Sequence, residues 1–194
     1  MVNLKQIEKD SAEIRRLTGR IKETVVSRSN SPEKREEWER ACEEFHQRFG
    51  SLFFPGGVKT LNRVRANDPD ALEAAISFLV ADPYHFRSGY LKESLWRWLQ
   101  HCKLSKSARN RLERAALQYL HRRISREFWC MCKAMARLGR SEFWANVAAQ
   151  ARIAASPEAF RALCLLTHGA DIHAGARLRR SIYRALIDQK YGKG

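Results

Sequence analysis

Apolar residues in this chain recur at intervals of three and four, and nowhere do they alternate over the length of a strand. That spacing puts them on one face of a 3.6-residue helix, so the pattern predicts an all-α protein. Helices are expected over about 3–27, 32–49, 70–81, 88–102, 105–122, 125–138, 141–154, 157–168 and 173–190. Leu4, Ile7, Ile14, Leu17, Ile21 and Val25 form a stripe on the first, and Trp38, Cys42, Phe45 and Phe49 share a face of the second. Three helix starts have one grammar: Ser31-Pro32-Glu33, Asp68-Pro69-Asp70 and Ser156-Pro157-Glu158. Each sets a capping side chain before a proline whose missing N–H costs nothing in the first turn, and follows it with an acid beside the positive helix end.

The segment GSLFFPGG, residues 50–57, interrupts the pattern with Gly50, Pro55, Gly56 and Gly57. It divides the expected organisation into a charged N-terminal helical hairpin (1–50), a linker (51–67) and a helical repeat domain (68–194). With 194 residues, 44% of them hydrophobic, the chain can bury a core of its own. No run approaches 18 apolar residues and the start, MVNLKQIEKD, lacks the apolar stretch of a signal peptide. The expectation is a cytoplasmic protein without a membrane span.

Charge is distributed unevenly. The formal net charge is +15, yet residues 1–50 carry 11 basic and 10 acidic groups and residues 51–100 carry 6 and 5. Residues 101–194 carry 19 basic groups and 6 acidic ones, so almost all the excess is C-terminal. A basic partner is disfavoured; a polyanion or an acidic protein surface is favoured. Arginines outnumber lysines 25 to 11, which suits bidentate contact with phosphate or carboxylate.

Expected helix starts at 70, 105, 141 and 173 lie about 32–36 residues apart, with a second series at 88, 125 and 157, the period of a stacked helical-hairpin array. Stretches such as ALEAAISFLVADP (71–83) and RLRRSIYRALIDQ (177–189) resemble degenerate HEAT-type repeats. The resemblance implies a short curved α-solenoid that acts as a binding scaffold; one subset of such proteins, the HEAT-like alkylpurine DNA glycosylases, binds DNA on a basic concave surface. The segment DPYHFRSGYLKESLWRWL (82–99) resembles one found in uncharacterised bacterial helical proteins, which implies no activity.

The helix faces supply candidate contacts. On 125–138, apolar residues cover most of the circumference, while Arg126, Lys133 and Arg137 fall within about 40° of one another. Such a helix packs on several sides, and its wet strip is basic. On 105–122, Arg111, Arg114, Gln118 and Arg122 climb opposite Leu112, Ala115, Ala116 and Tyr119; residues 103–126 hold eight basic groups and one acid, Glu113. The last helix repeats the theme with Arg177, Arg180 and Arg184. Trp96 leaves the core stripe of its own helix and is a candidate for stacking on a base. The other aromatics of the C-terminal half, Phe128, Trp129, Phe143 and Trp144, sit in core-like contexts.

Metal and catalytic readings find less. Cys130 and Cys132 stand about 200° apart on a helix and cannot share an ion, so the cysteines read as core residues and no metal or cofactor is expected. The loop THGADIHAG (167–175) brings His168, Asp171 and His173 together but also reads as a turn between helices. Glu127 and Glu142, each just before an aromatic pair, are the carboxylates a glycosylase would use, and both are also simple first-turn acids. There is no Gly-rich phosphate loop, no G-x-S-x-G and no CxxC. The expected function is non-catalytic binding of DNA or RNA phosphates, as by a subunit of a nucleoprotein complex; the alternatives are an adaptor docking an acidic protein and, third, a HEAT-like DNA glycosylase.

Overall fold

The structure, a computed structural model, describes residues 2–122, 124–152 and 156–170. The helices are α1 (Leu4–Val25), α2 (Pro32–Leu52), α3 (Gly57–Arg63) with a 3-10 turn at Val64–Ala66, α4 (Pro69–Ala81), α5 (Ser88–Leu99), α6 (Lys106–Tyr119), α7 (Arg126–Leu138), α8 (Ser141–Ala151) and α9 (Pro157–Ala170). No strand occurs among the described residues, and none of these helices is long and apolar enough to cross a membrane.

The expected caps form. Ser31 Oγ accepts from Lys34 N at 3.3 Å, Asp68 Oδ1 from Ala71 N at 3.0 Å and Ser156 Oγ from Ala159 N at 3.0 Å. Each satisfies one of the amide groups that a helix start leaves without an internal partner.

The chain forms two compact units, Met1–Leu95 and Trp96–Gly194, and the division falls inside α5 instead of at the glycine-rich segment. In the first unit α1 packs on α2 around Ile14, Leu17 and Phe45, with Ile21, Phe49, Leu52 and Phe53 closing the cluster. Residues 51–67, expected as a linker, instead carry α3 and the 3-10 turn. Their glycines serve a tight reversal. Gly56 and Gly57 have φ of 77° and 67°, and a Cβ on Gly57 would stand 3.1 Å from the Gly50 carbonyl oxygen. That reversal seats Phe54, fully buried, against Phe78 of α4 with ring centroids 5.6 Å apart, so α4 joins the first unit.

Charge in the α1–α2 hairpin is spent within the hairpin. Arg16 bridges Glu13 and Glu44 at 2.8 Å each, Arg20 reaches Glu44 at 2.9 Å, and Arg48 pairs with Glu13. The Arg16 hydrogen bond, with Arg48 alongside, pulls the Glu13 carboxyl down to about 2. These pairs are exposed and contribute little to stability individually. They leave the hairpin without a surplus of either sign.

The α4–α5 connection is held from several directions. Asp82 adopts the left-handed region (φ 46°) after the end of α4, and Lys92 Nζ of α5 meets its carboxylate at 2.6 Å, both side chains being almost wholly buried. Ser88 Oγ accepts from His85 N at 3.1 Å, and His85 itself is buried. From α1, Ser11 Oγ and Arg15 Nη1 donate to the Tyr84 carbonyl at 3.1 and 2.7 Å. Asp82→Asn tests this anchorage, because asparagine tolerates the left-handed conformation but removes the carboxylate charge that meets Lys92. A loss of about 3–5 kcal/mol is expected in urea unfolding, and an unchanged midpoint would show that the pair is dispensable.

Candidate functional site

In the second unit α7 packs against α6 and α9. Phe128, Met131, Cys132, Ala134 and Met135 are fully buried and Trp129 and Leu138 nearly so. The exposed residues of this helix are Arg126, Lys133 and Arg137, and no others. At a rise of 1.5 Å per residue they occupy one edge with axial steps of about 10 and 6 Å. The basic strip read from the wheel is therefore also the strip that the packing leaves open.

Two features bear on how the strip is presented. Arg137 Nη1 lies 3.2 Å from His101 Nδ1. A guanidinium only donates, so a hydrogen bond here has His101 Nδ1 as its acceptor. Glu113, the one acid between 103 and 126, is buried and turned away from the surface. Its Oε1 accepts from Arg140 N and Nε at 3.0 Å each, and its Oε2 from Arg140 Nη2 at 2.6 Å. Burial raises the Glu113 pKa, but the Arg140 hydrogen bonds outweigh it and hold the carboxyl below its usual value. This fork ties α6 to the start of α8 and engages one of the carboxylates near the surface cations; Glu127, next to Arg126, and Glu142, in a cleft with Arg114, are others.

On α6 the buried stripe is Leu112, Ala115, Ala116 and Tyr119, and opposite it Arg114 and Gln118 are exposed. Arg111 is half-buried. Arg122 is too, with its guanidinium carbon 5.5 Å from the Tyr119 ring centroid and its pKa lowered by burial. Arg114 is thus the best-presented cation of this helix; it also borders a cleft with Asn110, Glu142 and Asn146. Arg177, Arg180 and Arg184, expected on the last helix, lie outside the described residues.

Trp96 needs correction. Its exposure is 0%, and its ring meets Tyr119 edge to face at 6.3 Å, so it has no face to offer a base. Its displacement from the apolar stripe of α5 meant a second covered side, and the helix is enclosed there by residues distant in sequence. Phe128 and Trp129 are packed on each other at 5.3 Å and buried, and Phe143 is buried beside Trp144. The aromatic pair next to Glu127 is core; beside Glu142, Phe143 is buried and Trp144 half-buried, and Glu142 and Phe143 border the cleft that Arg114 shares. Helix α9 continues through Ala170, which makes His168 a buried helical residue near Trp129; Asp171 and His173 lie outside the described residues. No group of three potential metal ligands occurs among the described residues. Cys132 is fully buried, and burial pushes its thiol well up, the condition of an unreactive core cysteine.

The chain matches no protein-family model, no curated protein and no solved structure. Its own residues therefore carry whatever is said of its chemistry.

Sequence reasoning had no means of finding the Glu113–Arg140 fork, whose partners lie 27 positions apart. Because the folded-state pKa of Glu113 is depressed, its contribution to stability is present above the ordinary carboxylate range and is lost as pH falls through the lowered value. Glu113→Gln should lower stability at pH 7 by about 1–3 kcal/mol and flatten the acid limb of the stability–pH curve. Parallel curves for the two proteins would remove Glu113 from that role.

Proposed function

We propose that this protein binds nucleic acid without catalysis, through phosphate contacts made by Arg114 of α6 and Arg126, Lys133 and Arg137 of α7. One observation supports this more than any other: every exposed residue of α7 is a cation, on a helix otherwise given over to packing. The companion acid on α6, Glu113, is held in an ion pair with Arg140. Like charges a turn or more apart repel by a few tenths of a kcal/mol, and a polyanion laid along the strip converts that repulsion into attraction.

Arg111 and Arg122 extend the same surface at its half-buried margin, and Arg177, Arg180 and Arg184 are assigned to it from the sequence alone. The packing of α9 on both α7 and α8 suits a stack of HEAT-like hairpins within the second unit, and the reading of a scaffold goes with that arrangement. Contacts of this kind position a phosphate backbone and carry no sequence information.

Binding should fall steeply between about 50 and 200 mM salt. Lys133→Glu with Arg137→Glu should weaken it for every oligonucleotide tried and reduce the log–log salt slope by about one per cation removed. Absence of any binding at the lower salt would sink the proposal and leave the arginines to an acidic protein partner.

A further inference from the structure

Among the described residues, every exposed Phe, Tyr or Trp lies between positions 84 and 90. Tyr84 is 81% exposed, Tyr90 62% and Phe86 47%. The other large exposed apolar residues are aliphatic and scattered: Leu4, Val26, Val58 and Leu163. Isolated exposed side chains are ordinary, but three aromatics in seven residues, where every other described Phe, Tyr or Trp ring is buried or half-buried, are a concentration.

The segment that shows them is not loose. Its main chain is fixed by the buried Asp82–Lys92 pair, by the His85–Ser88 hydrogen bond and by the two donors from α1 on the Tyr84 carbonyl. Phe86 rests edge to face on Phe45 and Phe49, with centroids 5.8 and 5.9 Å away, and still presents about half its surface. Arg87 is held at φ 63°, a left-handed conformation that costs a non-glycine residue energy and persists only where the surroundings impose it. Its guanidinium carbon stands 5.2 Å from the centre of the Phe86 ring.

Charge decides between partners. The one acid within 82–90, Asp82, is neutralised by Lys92 and buried, while Arg87 and Arg15 are exposed. Rigid aromatic faces bordered by cations and lacking exposed carboxylates of their own suit an anionic strand with unpaired bases. Each base offers a π-face to a ring, and the phosphates between bases meet the arginines. We infer that residues 84–90 are a stacking platform for single-stranded nucleic acid, with Tyr84, Phe86 and Tyr90 as the rings and Arg87 as the phosphate contact. The inference rests on the proposed phosphate binding and adds to it a preference for unpaired strands, read by the first unit.

The test uses the full chain, a fluorescein-labelled oligo-dT strand and a duplex of equal length. The variant is Tyr84→Ala with Tyr90→Ala; Phe86 stays, because it supports Phe45 and Phe49. The melting temperature of the variant is measured alongside, and Tyr84→Phe with Tyr90→Phe, which keeps the rings, should retain binding. Single-strand affinity should drop at least about fivefold per ring lost, with duplex affinity and the salt slope unchanged, since stacking releases no counterions. Wild-type failure to bind either probe at low salt overturns the phosphate reading and this inference together. Binding of the strand that is undiminished in the alanine variant, or diminished equally for strand and duplex, overturns the platform alone and assigns the rings to a protein contact.

Discussion

A helix covered by neighbours on nearly all sides must put whatever charge it carries on the edge that remains, and α7 is such a helix. Burying one large apolar side chain contributes roughly 1.5–3 kcal/mol. Phe128, Met131 and Met135 are all fully buried. The repulsion among Arg126, Lys133 and Arg137 amounts to a few tenths of a kcal/mol per neighbouring pair. Packing therefore dictates how α7 is seated, and the cations are carried at negligible cost. The proposed phosphate contacts would use the edge that this packing leaves open.

The two units handle charge in opposite ways. In the α1–α2 hairpin, Glu13 and Glu44 are shared among Arg16, Arg20 and Arg48, and the surface is close to neutral. In the second unit the acid best placed to do the same, Glu113, is drawn inward by Arg140. A forked ion pair holds α6 against the start of α8. Net charge alone conceals this difference.

Much of the fold was legible from local pattern. The capping signals at Ser31, Asp68 and Ser156 and the apolar periods located most helices to within a few residues, because capping and periodicity act over one or two turns. The glycine-rich stretch, read as a boundary and linker, holds Gly56 and Gly57 in a tight reversal that seats Phe54 in the core. The wheel located the cationic edge of α7 correctly and gave the wrong meaning to Trp96. A residue off the main stripe is exposed only if nothing else packs there. The rings that are exposed, Tyr84, Phe86 and Tyr90, stand in a connection where no helical period applies.

By itself, the sequence determined that the chain is helical, where most helices begin, and that its positive charge is concentrated beyond residue 100. Those properties follow from hydrogen bonds and side-chain spacings that close within a few residues. Only the tertiary structure decided which charges and rings face water. Glu113 is hidden by a residue 27 positions away, and the Tyr84 backbone is held by α1 residues some 70 positions away. Exposure is the property binding requires, and it is set by contacts between distant parts of the chain that no local pattern records.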